Sequence, residues 1–107
     1  MKVVYREAAA DDLVRQFRYY LVTLDLPEIA IRFREAVEDT VRSLSDHPLI
    51  GPRIQSNEPR LRELRSWPVM GFEAIRIYYL WADDTLRVIR ILHGKRDVAR
   101  ILNREDI

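Results

Sequence analysis

Cysteine is absent from this 107-residue chain, which excludes disulfides and thiolate metal sites and accords with an expected cytoplasmic location. Glycine is scarce: there are three, and none sits in a phosphate-cradling loop of the P-loop kind. Apolar runs are far too short to cross a bilayer and no charged-then-apolar leader opens the chain, so a soluble, non-secreted protein without membrane contact is expected. Lysine is nearly missing, since of eighteen basic residues only Lys2 and Lys95 are lysine and sixteen are arginine. Planar guanidinium groups suit carboxylates and phosphates alike, so the bias fits an acidic partner, and genomic base composition would produce it as well. Histidine is limited to His47 and His93, forty-six residues apart, so a metal site would depend on carboxylates from elsewhere. No metal and no cofactor are expected, and neither G-x-S-x-G nor H-E-x-x-H occurs.

What is present describes one folded unit. Hydrophobic residues make up 48% and charged residues 33%, with a net charge of +1, as in a globular domain spanning residues 1–107. Lys2 to Arg6 reads as a short strand. From Glu7, Ala8, Ala9, Ala10, Leu13, Phe17, Tyr20, Leu21 and Leu24 recur at three- and four-residue steps, which predicts one buried helical face ending near Asp25. Asp11 and Asp12 read as solvated first-turn acids. Pro27 suits a first helical position, and Ala30, Phe33, Val37, Val41 and Leu44 then mark a second helix to Asp46. His47 to Pro59, with three prolines, reads as a surface loop, Arg60 to Arg65 as a strand, and Trp67 to Gly71 as a turn. The short tail from Val98 to Ile107 can dock Val98, Ile101 and Leu102 while Arg100 and Arg104 face water.

The centre of the chain is Phe72 to Asp97. Two runs rich in β-branched and aromatic residues, Phe72–Ala82 and Thr85–His93, flank the polar Asp83-Asp84 and predict a β-hairpin. Ile75, Ile77, Tyr79 and Trp81 line one face, yet Tyr78 and Leu80 keep the other from being polar. Such a sheet is covered on both sides, and with only two long helices the second cover is expected to be a partner protein. The fold class is therefore α+β: an N-terminal strand, then a two-helix antiparallel hairpin packed on a small, mainly antiparallel sheet.

His93-Gly94-Lys95-Arg96-Asp97 ends the hairpin as a basic knuckle, where Gly94 is expected to break the strand and turn Lys95 and Arg96 outward. An imidazole beside cations has two readings. His93 is a general base with Arg76, Lys95 and Arg96 clamping a phosphate, or it makes a strand-end hydrogen bond. Trp67 and Trp81 can stack bases, though packing in the core or a partner groove is the plainer expectation. Arg60, Arg62 and Arg65 form either a basic strip or a charged edge that discourages strand pairing.

Four stretches taken together carry a resemblance: His47-Pro-Leu-Ile-Gly-Pro-Arg53, Leu64-Arg-Ser-Trp-Pro-Val69, Arg76-Ile-Tyr-Tyr79 and Arg90-Ile-Leu-His-Gly-Lys-Arg-Asp97. With the order of elements, they make the chain resemble the ParE branch of the RelE/ParE superfamily over nearly its whole length. Its members are toxins of bacterial toxin–antitoxin pairs, often called plasmid stabilisation proteins. The resemblance implies a toxin neutralised by a ParD-like antitoxin that drapes along its helices and sheet, with DNA gyrase as target and no direct nucleic-acid binding by the toxin alone. Contacts to target or antitoxin are expected at Arg65, Trp67, Arg76, Lys95 and Arg96. RelE-like relatives instead cut messenger RNA on the ribosome, which would make His93, Arg76, Lys95 and Arg96 catalytic. Those relatives use a Tyr or His in the tail; the tail Val98–Ile107 here has neither, which favours gyrase inhibition.

Overall fold

The computed structural model describes residues 2–107. Strand β1 (Lys2–Tyr5) leads into helix α1 (Glu7–Arg18), which continues as a π-helical turn over Tyr19–Thr23. Helix α2 (Pro27–Asp46) folds back, and β2 (Arg65–Val69), β3 (Phe72–Ala82), β4 (Thr85–His93) and a short α3 (Val98–Asn103) follow. The strands lie in the order β1-β4-β3-β2, with β1 parallel to β4 and the other neighbours antiparallel. No helix among the described residues is long and apolar enough to cross a membrane.

The β3–β4 hairpin turns through Asp83 and Asp84, whose φ values of 53° and 55° place both in the left-handed region that two-residue hairpin turns demand. Aspartate tolerates that region better than most residues. A bulge at Tyr78/Tyr79 leaves Ile89 without an opposite residue in β3. The helix-facing core gathers Ala9, Phe33, Val37, Val41 and Leu44 against Ile75, Ile77, Tyr79, Leu86, Val88 and Ile91. Tyr20, Phe33 and Phe72 meet with ring centroids 5.4–5.8 Å apart, joining both helices to the start of β3.

The second sheet face is covered by the chain itself, which corrects the expectation of a partner there. Leu61, Leu64, Tyr78, Ile89, Leu92 and Leu102 form a second core, with Ile54, Leu80, Val98, Ile101 and Ile107 packed on it. The cover is a loop and a one-and-a-half-turn helix, neither long enough to announce itself by periodicity. Arginines bind it down: Arg60 donates to the carbonyls of Asn103 and Glu105, and Arg6 to that of Asp106.

Three local expectations also change. Arg60–Arg65 is not a strand; Pro59–Leu61 is a 3₁₀ turn, because Leu61 and Leu64, three apart, point into the same core. Trp67 to Val69 belongs to β2 rather than to a turn, and only Met70-Gly71 reverses the chain, with Gly71 at φ 81°. Leu21 and Leu24 are exposed, as is Ala10. In the π turn Leu24 N–H bonds to the carbonyl of Tyr19, five residues back, and this wider winding carries both leucines off the buried face.

Two glycines in the resembling motifs differ in what they allow. A Cβ on Gly51 would lie 2.6 Å from Tyr79 Oη and 2.7 Å from the carbonyl of Ser66, whereas on Gly94 it would meet only the carbonyl of Ala74 at 3.5 Å. Gly94 also has no positive φ, so the knuckle does not depend on glycine. Gly51→Ala is expected to cost about 1–3 kcal/mol through overpacking against backbone, and Gly94→Ala less than about 0.5 kcal/mol, as read by urea denaturation.

Candidate functional site

The knuckle forms as hydrogen-bond geometry at the sheet end. His93 is opposite Ile75, and Gly94 N–H extends the ladder to the carbonyl of Ala74 at 2.7 Å. Arg96 N–H returns to the carbonyl of His93 at 3.0 Å, closing a turn, and Lys95 N–H donates to His93 Nδ1 at 3.1 Å. An Nδ1 that accepts this bond leaves Nε2 carrying the proton of the neutral ring. Asp97 caps α3 by accepting from Arg100 N–H at 3.2 Å. Lys95 and Arg96 are exposed, and their side-chain charges have no partner among the described residues.

His93 and Arg96 line a cleft of about 300 Å³ against α1, with Asp12, Arg15, Gln16 and Ile91. Arg76 lies elsewhere. It stands opposite Leu92 in the ladder, on the alternate side of the sheet from His93, and both its Nε and Nη2 donate to Ser66 Oγ. The proposed phosphate clamp is thus split, with Arg96 beside His93 and Arg76 across the sheet.

Arg65 and Trp67 are half-buried in β2. Arg65 Nη1 donates to the carbonyls of Gly51 at 2.8 Å and Leu49 at 3.3 Å, so its charge is spent holding the α2–β2 loop. Trp67 and Trp81 both pack on the helix-side core. Tyr79 is fully buried, donating from its hydroxyl to the carbonyl of Pro48 at 2.8 Å and accepting from Gly51 N–H at 3.1 Å. Burial pushes its phenol pKa up, partly offset by the Gly51 bond and the Arg65 charge.

The residue that sequence reasoning misplaced is Asp12. Its side chain is 2% exposed, not solvated, and takes Arg90 Nε and Nη2 at 2.7 and 2.8 Å as a bidentate pair. It also accepts Ile91 N–H at 3.0 Å. Strand β1 ends opposite Val88, so past that point the outer edge of β4 has no strand, and the Asp12 carboxylate satisfies it instead. Arg90 Nη1 reaches Glu105 in the tail, and the Asp12 bond above all holds its pKa still higher than arginine's usual value. The missed signal is a mid-helix acid three residues before Arg15 on an otherwise apolar-facing arc.

Along the outer face of α1 runs a second tract that sequence reasoning did not single out. Val14, Tyr19 and Val22 are 54%, 45% and 67% exposed, and they share a cleft of about 660 Å³ with Asp11, Arg15, Arg18 and Thr23. Arg15 also borders the knuckle cleft, so the two adjoin at that side chain.

The family profile described as ParE toxin of type II toxin-antitoxin system, parDE, matches residues 3–98. Among solved structures the fold is similar to a chain of the chromosomal ParDE TA system from P. aeruginosa, at 20% identity and a TM-score of 0.69, covering 87% of this chain and 95% of that one. It is also similar to a YoeB/ParE toxin from Agrobacterium tumefaciens, at 18% identity and a TM-score of 0.58, covering 87% of this chain and 98% of the other. No curated protein sequence matches.

Removing the Asp12 carboxylate would break the bidentate pair, leaving the largely buried Arg90 guanidinium with Glu105 alone and Ile91 N–H unsatisfied. Asp12→Ala is expected to cost about 3–5 kcal/mol, the loss typical of a broken buried pair. The neighbouring, exposed Asp11→Ala should change stability by less than about 0.5 kcal/mol. Equal shifts of the two urea midpoints would contradict the assigned role.

Proposed function

The chain belongs to the ParE toxin family of type II toxin–antitoxin systems, and from that premise we propose that it inhibits DNA gyrase by protein contact and that a ParD-like antitoxin neutralises it in the cytoplasm. The observation that carries the non-catalytic reading is the separation of His93 from Arg76. Ribonuclease chemistry needs a base, an acid and positive charge gathered on one phosphate. Here Arg76 is bound to Ser66 on the far side of the sheet, and the imidazole already accepts Lys95 N–H. Beyond Arg96 no Tyr or His is available as the acid.

The antitoxin contact is best supported at the α1 outer face and the adjoining knuckle. Exposed apolar side chains at Val14, Tyr19 and Val22 are interleaved with Arg15 and Arg18, and Lys95 and Arg96 continue the cationic tract. This suits an amphipathic acidic segment, whose apolar residues bury area while its carboxylates pair with guanidinium groups.

Induction of the His93→Gln variant in cells should leave growth arrest and loss of plasmid supercoiling largely intact. A ribonuclease stripped of its base would lose about a hundredfold or more in activity. Transcript cuts that vanish with His93→Gln, beside normal supercoiling, would reverse the assignment.

For neutralisation, Arg15→Glu with Arg18→Glu should weaken binding of the cognate antitoxin by about tenfold or more through like-charge contact, measured by calorimetry. Unchanged affinity would move the antitoxin off this face.

A further inference from the structure

The loop after α2 presents two apolar side chains outward while its backbone is held rigidly from below. Leu49 and Ile50 are 64% and 50% exposed. On either side of them, Tyr79 Oη grips the carbonyl of Pro48 and the N–H of Gly51, and Arg65 grips the carbonyls of Leu49 and Gly51. Ser66 N–H adds a bond to the carbonyl of Pro52 at 3.1 Å, and Ile50 N–H closes a turn onto the carbonyl of His47. The loop therefore cannot rotate its apolar pair inward without breaking buried bonds.

Together with Asp46, His47, Pro48 and Trp81, these side chains border a shallow cleft of about 580 Å³. No lysine or arginine lines it, which argues against a nucleic-acid backbone as its occupant. Asp46 supplies a second, independent pointer. It is the last residue of α2, whose final turn has no basic residue, and its carboxylate has no partner among the described residues. A negative charge at the negative end of a helix is unfavourable, and a cation from outside would relieve it.

We propose that Leu49 and Ile50, with Asp46 and the flank of Trp81, are the anchor by which this toxin engages its target protein. The partner surface is an apolar pocket edged by lysine or arginine. The inference rests on the reading of the chain as a toxin acting by protein contact and adds the place of that contact. Preorganisation suits the role, because a pre-ordered loop loses little entropy on docking and a few side chains seated in well-packed, desolvated pockets carry most interface energy. The anchor is separate from the antitoxin tract. Trp81, which lines the loop cleft, and Ile75, opposite His93, lie six residues apart in β3, about 20 Å along the strand.

The test uses the full chain, titrating inducer to read growth arrest, with thermal unfolding and antitoxin binding as folding controls. Leu49→Ser with Ile50→Ser should lower arrest potency by about thirtyfold or more, the loss expected from one hot-spot anchor, while antitoxin affinity stays unchanged. Leu49→Met with Ile50→Val should retain potency. Asp46→Lys should raise the unfolding midpoint, since it favours the helix end, and yet lower potency; no merely structural role produces that pair of effects. The proposal is overturned if the serine pair or Asp46→Lys, folded, arrests growth at the parent's inducer level. It is equally overturned if the folded, antitoxin-free parent arrests nothing. Supercoiling by purified gyrase is measured separately, so a parent that arrests growth without inhibiting gyrase rejects gyrase as the target and leaves the growth comparison to judge the anchor.

Discussion

A hairpin with no polar face is the constraint on which this fold turns. Strands β3 and β4 carry Ile75, Ile77, Tyr79, Val88 and Ile91 on one side and Tyr78, Leu80, Ile89 and Leu92 on the other. Water must be excluded from both, and at this chain length only one side can receive a full layer of helix. The α1–α2 pair takes that side. The other is closed with less material, by residues 54–64 and the last ten residues, and a cover so thin requires fastening.

Arginine does the fastening, which gives its abundance a structural meaning. Arg6 and Arg60 donate to backbone carbonyls of the tail, Arg65 holds the loop after α2, Arg76 holds Ser66, and Arg90 joins α1, the β4 edge and Glu105. A guanidinium reaches two or three acceptors in fixed directions, which the single point charge of lysine does not do. Among the cations that take no part in this fastening, Arg18, Lys95 and Arg96 lie along α1 and the knuckle, beside Arg15, which pairs with Asp12 at 3.5 Å. It is the placement of the five fastening arginines, rather than net charge, that holds the scaffold together.

The same economy shows on the outside of the molecule. Its fixed features are outward-facing and geometric: an apolar and cationic helix face, and a loop clamped by Tyr79 and Arg65. Rigid presentation of a few side chains is what recognition of a protein needs, whereas phosphoryl chemistry needs convergence of charges on one point.

How much of this was legible beforehand follows from the range of each interaction. Helix α2, the hairpin strands and the turn at Asp83-Asp84 depend on periodicity and turn chemistry, which are local properties, and the sequence by itself determined them. It also determined that both sheet faces must be buried, and through four short stretches it carried the family resemblance. Which residues would cover the second face was decided only by the tertiary structure, because Leu61, Leu64 and Leu102 reach one core from segments too short to show a period. The burial of Asp12 was likewise a tertiary decision: its partners, Arg90 and Ile91, lie 78 and 79 residues away. So was the separation of Arg76 from His93, since strand alternation and a one-residue bulge in β4, not spacing along the chain, assign each side chain its face.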